Sequence, residues 1–227
     1  MLELFLRESN MKFLTLFVFI ISANVWASVL HVEYQYASVF DRWCTKQNRT
    51  VISNDERKEL FSKFNEFQNE WDTIGPKLVA AVSKILKKDF KQKEMIAAIF
   101  LCKKTPSMSM PLLINGNWFA KGKDSIPSHM ITALTFHELL HTFLDDNYSL
   151  LLSTSLIARY QRQGESNRVL GHLHLMAIQK MVYLSLGMKD RLNEVIDLES
   201  SFSNGGYKRA WEIINKDGYL PFIGELK

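Results

Sequence analysis

His137, Glu138 and His141 stand in the run "TFHELLHTFLDD" (135–146), two imidazoles four residues apart with a carboxylate directly after the first. On an α-helix, positions four apart share a face and lie about 6 Å from each other, so both rings can turn a nitrogen toward one ion. Glu138 lies one step round the helix. Its carboxylate can stand beside the ion's open position without ligating it, as a general base for a bound water requires. With 6 histidines and 14 glutamates in 227 residues, composition alone writes this pattern only ~0.01 times. Leu134, Leu139, Leu140 and Phe143 make the segment a buried amphipathic helix, where two rings and an acid without partners would be costly.

A catalytic zinc usually takes three protein ligands and a water. Asp145 continues the spacing of four, but it lies about 12 Å along the axis from His137, too far to share an ion with bonds near 2 Å. The third ligand must come from another segment, and three residues compete. Glu165 stands at a loop-to-helix junction. His172 and His174 lie in "VLGHLHLMAIQKMVY" (169–183), about 200° apart round a helix, so only one of them faces the pair. His174 shares a stripe with Leu170, Ala177, Met181 and Leu184, whereas His172 aligns with Met176, Gln179 and Tyr183. Asp145 and Asp146 are either solvated acids at a helix end or carboxylates that accept the second N–H of a ligating ring.

"HELLH" resembles the His-Glu-x-x-His helix of the zincin metallopeptidases over about fifteen residues. The resemblance implies a Zn2+ held by His137 and His141 and peptide-bond hydrolysis with Glu138 as base and then acid. Metzincins would carry a glycine and a third histidine where this chain has Leu144 and Asn147, so that subfamily is excluded. His172, followed by Ala177 and Lys180, is similar to the histidine that zincin-like relatives use as third ligand. This favours His172, with His174 and Glu165 as alternatives. An oxyanion could be held by Tyr148, Tyr160, Tyr207, Tyr219, Arg159 or Arg168. The competing expectations are a zincin-like domain that binds metal and acts as an envelope accessory or interaction protein without turnover, and a helical interaction protein with no metal.

Positioning such a site needs a scaffold, and the chain provides one of α+β type. "VLHVEYQYAS" (29–38) alternates, with Leu30, Val32, Tyr34 and Tyr36 on one side, the period of a half-buried strand. "EMIAAIFLC" and "SMSMPLLIN" are two further strands bounded by Lys103-Lys104-Thr105-Pro106 and Asn115-Gly116-Asn117. Ser53 or Asn54 caps a helix with Leu60, Phe61, Phe64, Phe67 and Trp71 at helical spacing, which Gly75-Pro76 is expected to end before a second helix over 77–88. Pro127 and Ser128 lead into the motif helix, 131–144. Helices follow over 149–163, 166–186, 190–202 and 207–215. The expected architecture is a zincin-like single domain over 28–227, with a small, mostly antiparallel sheet before the active-site helix and a helical second half.

The balance of +4 is mild and its lysines and arginines are scattered, which argues against nucleic acid and leaves a peptide or protein substrate as the expected partner. Met11, a possible true start, and Lys12 precede the apolar run 13–21 and then Val25-Trp26-Ala27, the pattern of a cleaved signal peptide over 1–27. A buried N-terminal strand or an uncleaved anchor is the alternative, but Ser22 and Asn24 cut the run below the ~20 residues a span requires. Cleavage removes two basic and two acidic residues and keeps the +4 balance. Export to the periplasm or medium implies a disulfide between the two cysteines, Cys44 and Cys102.

Overall fold

The computed structural model describes residues 30–149, 151–203 and 205–227, and the expected signal segment lies outside them. Strand β1 (His31–Tyr36) buries Val32 and Tyr34 and exposes the residues between them, as its alternation requires. It pairs with β2 (Glu94–Phe100), and β2 pairs with β3 (Leu113–Asn115). Both pairings are parallel, with His31 opposite Glu94 and Ala98 opposite Leu113. The expectation of a mostly antiparallel sheet is therefore wrong. Alternation reports which face of a strand is buried and says nothing of its direction, which the connections set. Here α1 (Ser38–Asn48), α2 (Asn54–Ser62) and α3 (Phe64–Leu86) form the long helical link from β1 to β2, the kind of crossover that parallel strands need.

The stretch 107–115 is a strand only at its end. Met108 and Leu113 bridge antiparallel across a turn that holds the cis Met110–Pro111 bond, and residues 113–115 alone join the sheet. Cys44 of α1 is bonded to Cys102, just past β2, and the pair packs with Phe100 and Leu113 in a small apolar cluster.

The helix start at Ser53 has a complete capping box: the Ser53 hydroxyl accepts from the Glu56 N–H, and the Glu56 carboxylate accepts from the Ser53 N–H. Gly75-Pro76 does not end a helix. Lys63 separates α2 from α3, and α3 then runs unbroken through Pro76 to Leu86. An interior proline costs about 3 kcal/mol, but the face carrying Phe67, Trp71, Leu78, Val82 and Leu86 is wholly buried and offsets that cost. Gly75 has its own reason, because a Cβ there would lie 2.4 Å from the Trp71 indole.

The motif helix α4 (Met130–Asn147) is buried on every side from Met130 to Leu140. The burial expected from the sequence is met, but it extends round the whole helix and not along one face. In place of one helix over 149–163 there is a 3-10 turn, Leu151–Ser153, and then α5 (Ser155–Arg162). The chain continues through α6 (Asn167–Ser185), α7 (Lys189–Ser200), α8 (Gly206–Asp217) and a short α9 (Leu220–Gly224) that sequence reasoning missed. The side chain of Ser166 accepts from the Val169 N–H to start α6, and Gly187, at φ +71, follows its end. α6 packs against α3, α4, α5, α7, α8 and α9, so it is the second buried rod beside α4. Among the described residues no helix is long and apolar enough to cross a membrane.

Candidate metal centre

α4 and α6 lie side by side, and the turn of each determines what meets between them. His137 and His141 leave one face of α4, and His172, in the second turn of α6, faces them. Ring centroids are 5.2 Å apart for His137 and His141, 5.5 Å for His137 and His172, and 4.9 Å for His141 and His172. One nitrogen from each ring lies within 4.8 Å of the other two, close enough for small side-chain rotations to bring all three to one ion.

The hydrogen bonds fix which nitrogens are free. His172 Nδ1 lies 2.6 Å from the carbonyl oxygen of Arg168. A carbonyl only accepts, so Nδ1 carries the proton and Nε2 keeps its lone pair in the neutral ring. His137 Nδ1 donates to Glu199 at 2.9 Å. Both Nε2 atoms are buried without a hydrogen-bond partner, which costs about 1–3 kcal/mol each if nothing compensates. A divalent ion of the nitrogen-binding kind resolves both at once, so the donor set fits zinc or a similar metal.

Charge arrangement favours the ligating form of two of the rings. Burial, with the neighbouring His137 and His172, pushes the His141 imidazolium down to about 2. Burial and His137 push His172 down to about 4. Burial also acts to lower His137, but the Glu199 carboxylate beside it outweighs burial and holds the value above normal. Glu138 is pushed up to about 6 by burial, against the pull of His137.

Sequence reasoning missed Glu199 as the partner of His137. The Glu199 carboxylate, 1% exposed, accepts from His137 Nδ1, Gln179 Nε2 at 3.0 Å and Trp211 Nε1 at 2.7 Å. Those donors, His137 above all, outweigh burial and hold it below the usual carboxylate range. A signal was present: Leu192, Val195 and Glu199 fall on one buried stripe of α7, and an acid on an apolar stripe demands a partner. Asp145 and Asp146, the sequence candidates for this role, do not reach the rings. Asp146 accepts from Gln92 and lies 3.9 Å from Lys91, and Asp145 is exposed at the helix end.

The alternatives for the third ligand point elsewhere. His174 Nε2 is 2.9 Å from Glu225, and Glu165 is held by Arg209 at 2.6 and 2.8 Å. Of the oxyanion candidates, Tyr148 donates to the Leu226 carbonyl and Tyr160 to Asp217. Arg159 lies over the Tyr160 ring, and Lys180 lies over that of Tyr219. Only Tyr207 and Arg168 border the cavity of about 470 Å³ that opens beside His137 and Glu138. The Tyr207 ring is 4.5 Å from His172 and 5.3 Å from His137. No family model, curated protein or solved structure matches the chain. Its likeness to the zincins therefore stands on the HELLH segment.

Proposed function

We propose that this chain is an exported zinc-dependent peptidase, zincin-like in its motif, whose metal is held by His137, His141 and His172. The observation that carries the reading is the pair of buried, unpartnered Nε2 atoms on His137 and His172, in a cluster with His141 in which one nitrogen of each ring lies within 4.8 Å of the other two. Zinc bound there supplies a water acidified from a pKa of ~15.7 to about 7 and a Lewis acid for the scissile carbonyl.

The chain's own residues supply the rest. Glu138 takes the proton of the attacking water on its carboxylate and hands it to the departing amine. Glu199 fixes the His137 ring through Nδ1, and the Arg168 carbonyl fixes His172 in the same way. Tyr207, whose ring packs against both histidines at the cavity wall, and Arg168, which lines the same cavity, are the donors available to a developing oxyanion. The disulfide agrees with export to the periplasm or medium.

Glu138→Gln tests the reading. It is expected to keep one zinc per chain, measured by metal analysis, and to lower hydrolysis of a peptide library by about 10²–10⁴-fold. Undiminished cleavage by that variant refutes the mechanism. Zinc without turnover in the unaltered protein points instead to a metal-binding accessory protein.

A further inference from the structure

The cavity beside Glu138 contains charge that zinc chemistry does not use. Lys104 and Arg168 both border it and both are exposed. Among the described residues neither forms an ion pair, unlike Lys63, Arg191 and Arg209, which are paired with Glu59, Glu70 and Glu165. Of the two carboxylates that line the same cavity, Glu199 already accepts from three donors and Glu138 is buried beside the rings. Two cations therefore border this space with no ion pair to either carboxylate among the described residues.

Lys104 is also held in an unusual way. Its backbone is left-handed, φ +67, a conformation that long side chains adopt rarely and that surrounding structure must enforce. On one side Cys102 is tied to Cys44, and on the other the Thr105 carbonyl accepts from Asn115 Nδ2 at 2.7 Å. The loop backbone is thus anchored on both sides of Lys104. Leu134, Trp118 and Phe202 give the space an apolar wall, with Trp118 and Phe202 in ring contact at 5.4 Å, and hydroxyl and amide side chains such as Ser107, Asn115 and Ser201 line the rest. A volume of about 470 Å³ suits a small ligand or a short piece of peptide.

We propose that Arg168, assisted by Lys104, binds a carboxylate of the peptide substrate while the adjoining apolar side chain rests against Leu134, Trp118 and Phe202. A guanidinium presents a planar fork that matches a carboxylate with two parallel hydrogen bonds, and Lys104 adds a point charge. The carboxylate is either the C-terminus of the substrate or an acidic side chain. The proposal rests on the peptidase reading for its reaction, but carboxylate binding can be measured without turnover.

The zinc-loaded Glu138→Gln protein is titrated calorimetrically with three short peptides that share an aromatic residue. One has a free C-terminus and no acidic side chain, the second is its C-terminal amide, and the third is the amide with one glutamate added. At least one carboxylate-bearing peptide is expected to bind about tenfold more tightly than the plain amide. Adding Arg168→Gln should erase most of that advantage, and Arg168→Lys should restore part of it. Preference for the free C-terminus identifies a chain-end substrate, and preference for the glutamate identifies an acidic side chain. Equal binding of all three peptides, binding of none, or a preference untouched by both Arg168→Gln and Lys104→Gln overturns the proposal. Carboxylate preference with no hydrolysis by the unaltered zinc-loaded protein would sink the peptidase reading and leave this one standing. Hydrolysis of acid and amide alike would do the reverse.

Discussion

His172 and His174 leave α6 two residues apart and enter two different environments. On one side, His172 gives its Nδ1 proton to a backbone carbonyl and leaves Nε2 buried and unpartnered beside two other rings. On the other, His174 Nε2 meets the carboxylate of Glu225, and the ring packs edge-on to Phe222 of α9. Both rings are buried and both sit in the same helix, so burial and local sequence do not separate them. What separates them is hydrogen-bond accounting: a buried donor or acceptor is nearly always paired, and of these two rings only His172 keeps a buried nitrogen without a partner. The first environment fits the proposed metal site, and the second is a clasp between α6 and the segment that carries Glu225.

Alanine substitutions break the comparison most directly. His172→Ala should lower zinc affinity by more than the 10–100-fold typical of an outer hydrogen-bond partner, because it removes a ligand. His174→Ala should leave zinc content unchanged and instead cost about 1–3 kcal/mol in denaturant unfolding, through the carboxylate left without its partner. Competition titration with a chelator and urea melts read the two effects separately. If both variants lost metal equally, the division between the two sides of α6 would be wrong.

Glu199 sharpens the same point one layer further out. Replacing it with glutamine keeps the shape but removes the charge that His137 faces, so zinc should bind about 10–100-fold more weakly while the chain stays folded. Unchanged affinity in Glu199→Gln would reduce the acid to a buried hydrogen-bond acceptor for Gln179 and Trp211.

These contrasts also explain what the sequence made legible. His137, Glu138 and His141 could be found because helical spacing alone puts them together. The segment that holds His172 was legible too, since one intervening helix lets α6 return beside α4. Glu199 is 62 residues from His137, and no local spacing links them. It could have been found only by taking its place on the apolar stripe of α7 seriously. Strand direction was hidden for a related reason, because alternation in β1 and β2 describes faces, whereas the parallel pairing follows from the three-helix link. Gly75-Pro76 misled because turn chemistry is a local preference that the buried face of α3 overrides.

The smallest expected effect lies in the second environment and separates charge from packing there. The Glu225 carboxylate accepts from the Leu156 N–H at 2.9 Å, from Ser155 Oγ at 3.0 Å and from His174. Burial acts to raise its proton affinity, but these donors outweigh burial and hold it below the ordinary value of 4.5. A carboxyl that is more acidic folded than unfolded stabilises the protein above the unfolded value and loses that contribution as pH falls through the folded one. Glutamine at 225 cannot ionise, so the unaltered chain should exceed Glu225→Gln by about 1 kcal/mol at pH 7, and the gap should close below pH 4.5 as the acid is neutralised. Measuring both proteins with a chelator present removes the metal from the comparison. A gap of constant size from pH 7 to pH 3 would mean that shape and not charge holds the C-terminus to α6. In that case the His174 side would differ from the His172 side in packing as well as in hydrogen-bond completeness.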